Sequence, residues 1–253
     1  MDHELMTGWL SVDPMSNKYP SLSPYNYCAW NPIKLIDPNG EEINVSALES
    51  TLKDRLIHCL SYITGLTLSI DKNGNITYAK NDDGTPSVTD GKGSSSARED
   101  LISAIDAKNK DGSNYRINVL KKSRNLGGPN GEYPGGTVWI TGSSENPDDA
   151  TNGLGMIFMH ECLHALKGWK DPEYNGVNSY IGNMVNSNNL QTGPVVDRVN
   201  EYRKELNMAI RITYFGRKSD NKVPFLAPEY YQGVGEKELK QNINSNCIYL
   251  KIK

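Results

Sequence analysis

The sequence predicts an α+β fold, with a mixed or antiparallel sheet beside one apolar central helix. Three observations predict it. Apolar residues recur at helical spacing in residues 46–64, again from about Asp149 to Lys167, and again from about Pro194 to Met208. Short alternating stretches at 66–70, 75–78, 116–120 and 137–141 read as strands between them. The middle helix carries His160-Glu161-Cys162-Leu163-His164, and no other charge falls between Ile157 and Leu166. Such a run suits a helix buried beneath other elements.

Composition narrows the field. The chain has 253 residues, 37% hydrophobic and 23% charged, enough for one or two domains with a workable core. A net charge of −3 is not the basic footprint of a nucleic-acid binder, so no nucleic-acid partner is expected. The short cluster Lys121-Lys122-Ser123-Arg124 reads as a solvated face. No run of 18 apolar residues is present, so membrane insertion is not expected. The first residues, MDHELMTGWLSVDP, lack the basic and apolar regions of a secretory signal. Cys28, Cys59, Cys162 and Cys247 are scattered without a CxxC pair, which signals neither a disulfide framework nor a cysteine zinc site.

Residues 1–40 are rich in Pro, Tyr, Asn and Ser and cannot form long helices, since each proline fixes φ and removes a donor. They close on Asp37-Pro38-Asn39-Gly40, a turn signal. The pieces Asp13-Pro14, Tyr19-Pro20, Ser23-Pro24-Tyr25-Asn26-Tyr27, Asn31-Pro32 and Asp37-Pro38-Asn39-Gly40 closely resemble the end of the Rhs-repeat-associated core of YD-repeat proteins. In that family the core forms part of a β-cage shell, and the sequence after the DPxG element is a variable C-terminal toxin. The resemblance implies two parts, residues 1–40 as the end of the core and 41–253 as the effector. It also implies a bacterial source, delivery to another cell by a specialised secretion system, and a cognate immunity protein.

Past residue 40, the first helix is expected over 46–64, with Leu48, Leu52, Leu56, Leu60 and Ile63 as its apolar stripe. Asn73-Gly74 between Leu66–Ile70 and Asn75–Tyr78 signals a hairpin. Residues 81–95 read as a polar, mobile loop. A helix from about Ala97 to Ala107 would be capped by Ser95 or Ser96. Strands at 116–120 and 137–141 are separated by a Gly/Pro-rich loop. The long helix to Lys167 and the one from Pro194 complete the pattern, proline suiting a first helical turn. The tail from Gly216 is mixed.

His160 and His164 stand four apart, so a helix presents both imidazoles on one face. Glu161 lies beside them, placed to take a proton from a water. This is the HExxH pattern of zinc metalloproteases, in which Zn2+ has three protein ligands and an open fourth position. Thr137–Thr141 stands where many zincins keep the edge strand that pairs with substrate backbone. Cys162, at a variable position of the motif, reads as a packing residue.

The third ligand is expected to be a carboxylate, because His3 and His58 lie far upstream. The metzincin pattern needs glycine three and histidine six residues after the second histidine, and here those places hold Lys167 and Lys170. Asp171 and Glu173 are near but out of that register. The helix from Pro194 offers Asp197, Glu201 and Glu205, and Glu201 fits the spacing of the gluzincin arrangement. Glu201 is therefore the expected ligand, with Asp197, Glu205, Asp171 and Glu173 behind it. Arg211 and Tyr214 resemble the Arg-x-x-Tyr pair of clostridial neurotoxin light chains, which implies substrate holding and oxyanion stabilisation. The stretch Val199 to Glu205 with Arg211 and Tyr214 resembles effector-type zinc metallopeptidases carried on Rhs toxins. Those often read Glu-Asn where this chain has Val199-Asn200.

The sequence is therefore read as a zincin-like zinc endopeptidase toxin acting on a protein or peptide of a target cell. The competing reading is a non-catalytic Rhs shell fragment or binding module with a degenerate zinc site. A deaminase is disfavoured, because its His-x-Glu and Pro-Cys-x-x-Cys are missing.

Overall fold

The computed structural model describes residues 42–89, 91–109, 115–121, 137–140, 153–172, 192–214 and 222–251. The chain divides between Gly40 and Glu41. The Rhs-like motifs before that division, the Gly/Pro-rich loop at 122–136, the expected helix start at 149–152, and Glu173 all lie outside the described residues. The described elements all belong to the second unit.

They run β1 (Glu42–Asn44), α1 (Ser50–Thr64), β2 (Leu68–Ile70), β3 (Asn75–Tyr78), α2 (Ser95–Ile105), β4 (Arg116–Lys121), β5 (Thr137–Ile140), α3 (Leu154–Lys167) and α4 (Gly193–Glu205). They continue through β6 (Ile210–Arg211), β7 (Lys222–Leu226), a 3-10 turn at Pro228–Tyr230, α5 (Glu236–Ser245) and β8 (Ile248–Lys251). The fold is mixed α+β, as expected. One sheet has the order β2-β3-β1-β4-β5. Its β2-β3 and β3-β1 pairs are antiparallel, whereas β1-β4 and β4-β5 are parallel. A second sheet, β6-β7-β8, is antiparallel throughout.

Local chemistry explains the boundaries. The hairpin forms where Asn73-Gly74 signals it, with Gly74 at φ +85° and the Asp71 carboxylate accepting the amides of Asn73 and Asn75. Helix α1 starts at Ser50 and not at 46, because the Ser46 amide and hydroxyl are both taken by Asn44 Oδ1. At its other end Gly65 adopts the left-handed conformation, and Arg98 Nε of α2 donates to the Thr64 carbonyl at 2.9 Å. The cap of α2 is Ser94, whose hydroxyl accepts the Ala97 amide at 3.0 Å. The expected caps, Ser95 and Ser96, are instead bound to Glu205. The segment 81–89 is also better pinned than its polarity suggests. Thr85 and Asn81 pair across a turn, Ser87 donates to Ala79, and Thr89 donates to Gly65.

Helix α3 is apolar nearly all round. Leu154, Met156, Phe158, Met159, Cys162, Leu163 and Ala165 are buried, and the helix packs on β5, α1, α2 and α4. Its approach to α1 is close. A Cβ on Gly155 would lie 2.5 Å from Ile63 Cδ1 and 3.0 Å from Cys59 Cβ. Beneath it, buried Asp100 of α2 accepts Arg198 Nε at 2.5 Å and the Tyr202 hydroxyl at 2.6 Å, and Lys167 Nζ stands 3.6 Å away. One carboxylate thus ties α2, α3 and α4, and its charge is paired as burial requires. Apart from Leu166 and Lys167 at its end, the exception to α3's burial is the stripe Ile157, His160, Glu161 and His164, spaced i, i+3, i+4, i+7. Among the described residues no helix is long and apolar enough to cross a membrane.

Candidate metal centre

The half-open stripe of α3 carries His160, Glu161 and His164, and the chain beyond it brings a carboxylate to them. Gly168 ends α3 at φ +66°, its amide bonding back to the His164 carbonyl. The chain then folds back along the helix. The Trp169 carbonyl meets His164 Nδ1 at 2.6 Å. A carbonyl only accepts, so Nδ1 carries a proton and Nε2 is the nitrogen turned toward Asp171. Two residues on, Asp171 faces both imidazoles. Its Oδ2 lies 3.1 Å from His164 Nε2 and its Oδ1 lies 3.5 Å from His160 Nε2. The two Nε2 atoms are 3.2 Å apart. One ligand atom from each of His160, His164 and Asp171 falls within 4.8 Å of the others.

The return segment is propped from α4. Gly193 sits at φ +75°, and a Cβ there would stand 2.7 Å from Pro172 Cδ. Only glycine permits both the backbone angle and the contact, so the start of α4 closes directly on the residue after Asp171.

Electrostatics keep Asp171 ionised and pull the two histidines in opposite directions. Burial alone would raise the Asp171 carboxyl, but hydrogen bonds from His160 and His164 hold it well below the usual carboxylate range. Burial pushes His160 downward, against the opposing pull of Asp171. For His164 burial also works downward, yet Asp171 and the Trp169 carbonyl outweigh it and its pKa rises. Asp171 Oδ1 is buried without a well-formed hydrogen bond among the described residues. An orphaned carboxylate oxygen facing two imidazoles fits a cation better than it fits a closed polar network. Two imidazoles and a carboxylate are also an ordinary donor set for zinc, and a backbone carbonyl behind His164 is the usual orienting contact for such a ligand.

Glu161 is half-buried, and its charge reaches both His164 and Tyr214. Tyr214 stacks on His160 with ring centroids 6.3 Å apart, and its hydroxyl is hydrogen-bonded to Asp171. Burial and that carboxylate both raise the phenol. Arg211 lies over the Tyr214 ring, 5.2 Å from its centroid, and donates to the Thr213 and Tyr214 carbonyls. His160, Glu161, His164, Arg211 and Tyr214 therefore converge on one place.

Glu201 does not join them. Its side chain is 52% exposed and accepts Arg198 Nη1 at 2.5 Å. The inward positions of α4 belong to Asn200, Tyr202 and Arg203, which leaves Glu201 on the solvent side. The carboxylate with the histidines is Asp171. Two further acids of α4 are occupied elsewhere: Asp197 accepts the Thr192 hydroxyl, and Glu205 binds Ser94, Ser95 and Ser96. The signal for Asp171 was a displacement by one residue. Glycine falls four and aspartate seven residues after His164, where the shorter pattern needs three and six. Asn200, which bonds the Arg211 backbone, had no signal by residue type alone. Cys162 is packed in the core, and burial pushes its thiol up to about 12, as suits a packing residue. No family model, known protein or solved structure matches the chain.

Proposed function

We propose that this chain is a zinc-dependent endopeptidase and the toxin part of an Rhs-type protein. Its substrate would be a protein or peptide of a target cell, and a cognate immunity protein would restrain it. The observation that carries the reading is the meeting of Asp171 with His160 and His164 on the one half-open stripe of α3, with Glu161 beside them. A zincin-like arrangement is supported by the mixed sheet whose end strand, β5, packs against that helix.

The residues have distinct tasks. His160, His164 and Asp171 would hold the ion, the first two through Nε2. Zinc, when bound, supplies Lewis acidity toward a peptide carbonyl and lowers the pKa of water toward ~7. Glu161 accepts the proton that water gives up and returns it to the leaving amine. Arg211 would offer donors beside the ligands, where charge builds on the carbonyl oxygen, and Tyr214 would join it by turning its one hydroxyl proton from Asp171.

The test is zinc content of the purified chain beside a His160→Ala/His164→Ala variant, followed by Glu161→Gln. The expected result is about one zinc per wild-type chain, as for a single three-ligand site, and none in the double variant. Glu161→Gln should keep zinc and lose proteolysis. Full proteolysis in that variant would overturn the mechanism. A wild-type chain that takes up no zinc even after soaking would favour the binding-module reading.

A further inference from the structure

Asn200 is a buried polar residue that the proposed reaction does not use. It lies on the inward side of α4, 7% exposed, facing β6. Its side-chain amide satisfies both backbone groups of a single residue. Nδ2 donates to the Arg211 carbonyl at 2.7 Å, and Oδ1 accepts the Arg211 amide at 2.8 Å. An amide side chain paired in this way imitates a neighbouring strand, and only Asn offers a donor and an acceptor at that reach. Arg203 Nη1 approaches the same Oδ1 at 3.3 Å, which holds the amide in one orientation.

Arg211 is the residue whose guanidinium ties down Thr213 and Tyr214. It donates to the Thr213 and Tyr214 carbonyls and lies over the Tyr214 ring. Tyr214 in turn stacks on His160 and bonds Asp171. Strand β6 has two residues, Ile210 and Arg211, and among the described residues pairs only with β7. So short a strand has little pairing of its own to set its register. We propose that Asn200 is a positioning residue: by clamping the Arg211 backbone to α4, it places the Tyr214 ring against His160, with its hydroxyl toward Asp171.

The effect on the metal rests on the proposed zinc site, whereas the placement of Tyr214 does not. The test therefore has two readouts on the whole chain. With 3-fluorotyrosine at position 214, the fluorine resonance of the metal-free protein should move in Asn200→Asp, which loses the donor, and in Asn200→Ala, which loses both contacts. Zinc affinity, measured by chelator competition, should fall about 10-fold in each, the scale for losing a contact that orients a ligand from behind. Tyr214→Phe should fall by a similar factor, and Asn200→Ala/Tyr214→Phe should fall no further. A fluorine resonance that stays in place in both Asn200 variants would overturn the proposal, as would losses that add in the double variant. A wild-type chain without zinc would defeat the metal reading alone, and the fluorine result would still decide for Asn200. Should neither variant fold, exchange of the Arg211 amide in the wild-type chain decides. Protection like that of α4 supports the clamp, and exchange at the rate of an open loop refutes it.

Discussion

Asp171 and Glu201 are both acids near a pair of histidines in sequence, and their surroundings give them opposite roles. Asp171 is mostly buried between two imidazoles, whereas Glu201 is half-exposed and bound to a guanidinium on its own helix. If Asp171 is the third ligand as proposed, replacing it with alanine should lower zinc affinity by more than about 100-fold, beyond the range for a residue that only supports a ligand. Glu201→Gln should leave zinc affinity unchanged, because an exposed pair on a helix surface has no path to the site. Chelator competition on the two variants checks both. A loss of zinc in Glu201→Gln with retention in Asp171→Ala would reverse the assignment.

At the level of elements, the position of α3 depends on how closely α1 lets it approach. Gly155 marks that crossing, with the Cys59 backbone carbon only 3.3 Å from where a Cβ would stand. The Ile63 methyl can move aside, but the α1 backbone cannot. Gly155→Ala should therefore destabilise the fold by about 1–3 kcal/mol, the range for overpacking, despite alanine's better helix propensity. Urea denaturation measures this, and Gly155→Ala/Ile63→Val should recover part of the loss. A variant more stable than wild type would show that the helices part without cost. The displacement would also reach His160 and His164, since they ride on the same helix.

Across the whole molecule, α4 is held to the rest by polar contacts as well as by its apolar face. Arg198 and Tyr202 bind Asp100, and Glu205 closes the N-terminus of α2 through three serines. For Glu205, burial works upward, but the serine hydroxyls and the Ser96 amide lower its pKa to about 2. A folded value below the unfolded one means stability that is present above the unfolded pKa and lost as pH falls through the folded value. Glu205→Gln should thus cost most above about pH 5, progressively less toward pH 2, and nothing below it. Solvent exposure screens the carboxylate, so the loss at neutral pH should be about 1 kcal/mol, the scale of a helix cap. Melting temperatures of both proteins across that range check it. A gap that widened toward acid would contradict the assignment.

The sequence by itself determined the elements and half of the centre. Helical periodicity marked α1, α3 and α4, Asn73-Gly74 marked the hairpin, and the spacing of His160, Glu161 and His164 put three side chains on one stripe. Those features were legible because they are local: four residues are about one helical turn whatever surrounds them. The third member of the cluster was not legible in the same way. Whether Asp171 or Glu201 meets the histidines depends on where Gly168 turns the chain and on which face of α4 is buried, and neither follows from spacing. The cap of α2 is Ser94 and not Ser95 or Ser96, and all three hydroxyls donate to Glu205, 109 residues from Ser96. Asn200 is an ordinary polar residue in the sequence, and it gains a role only where β6 comes against it. The tertiary structure alone decides such matters, because the worth of a buried carboxylate or amide is set by the partners that distant segments bring to it.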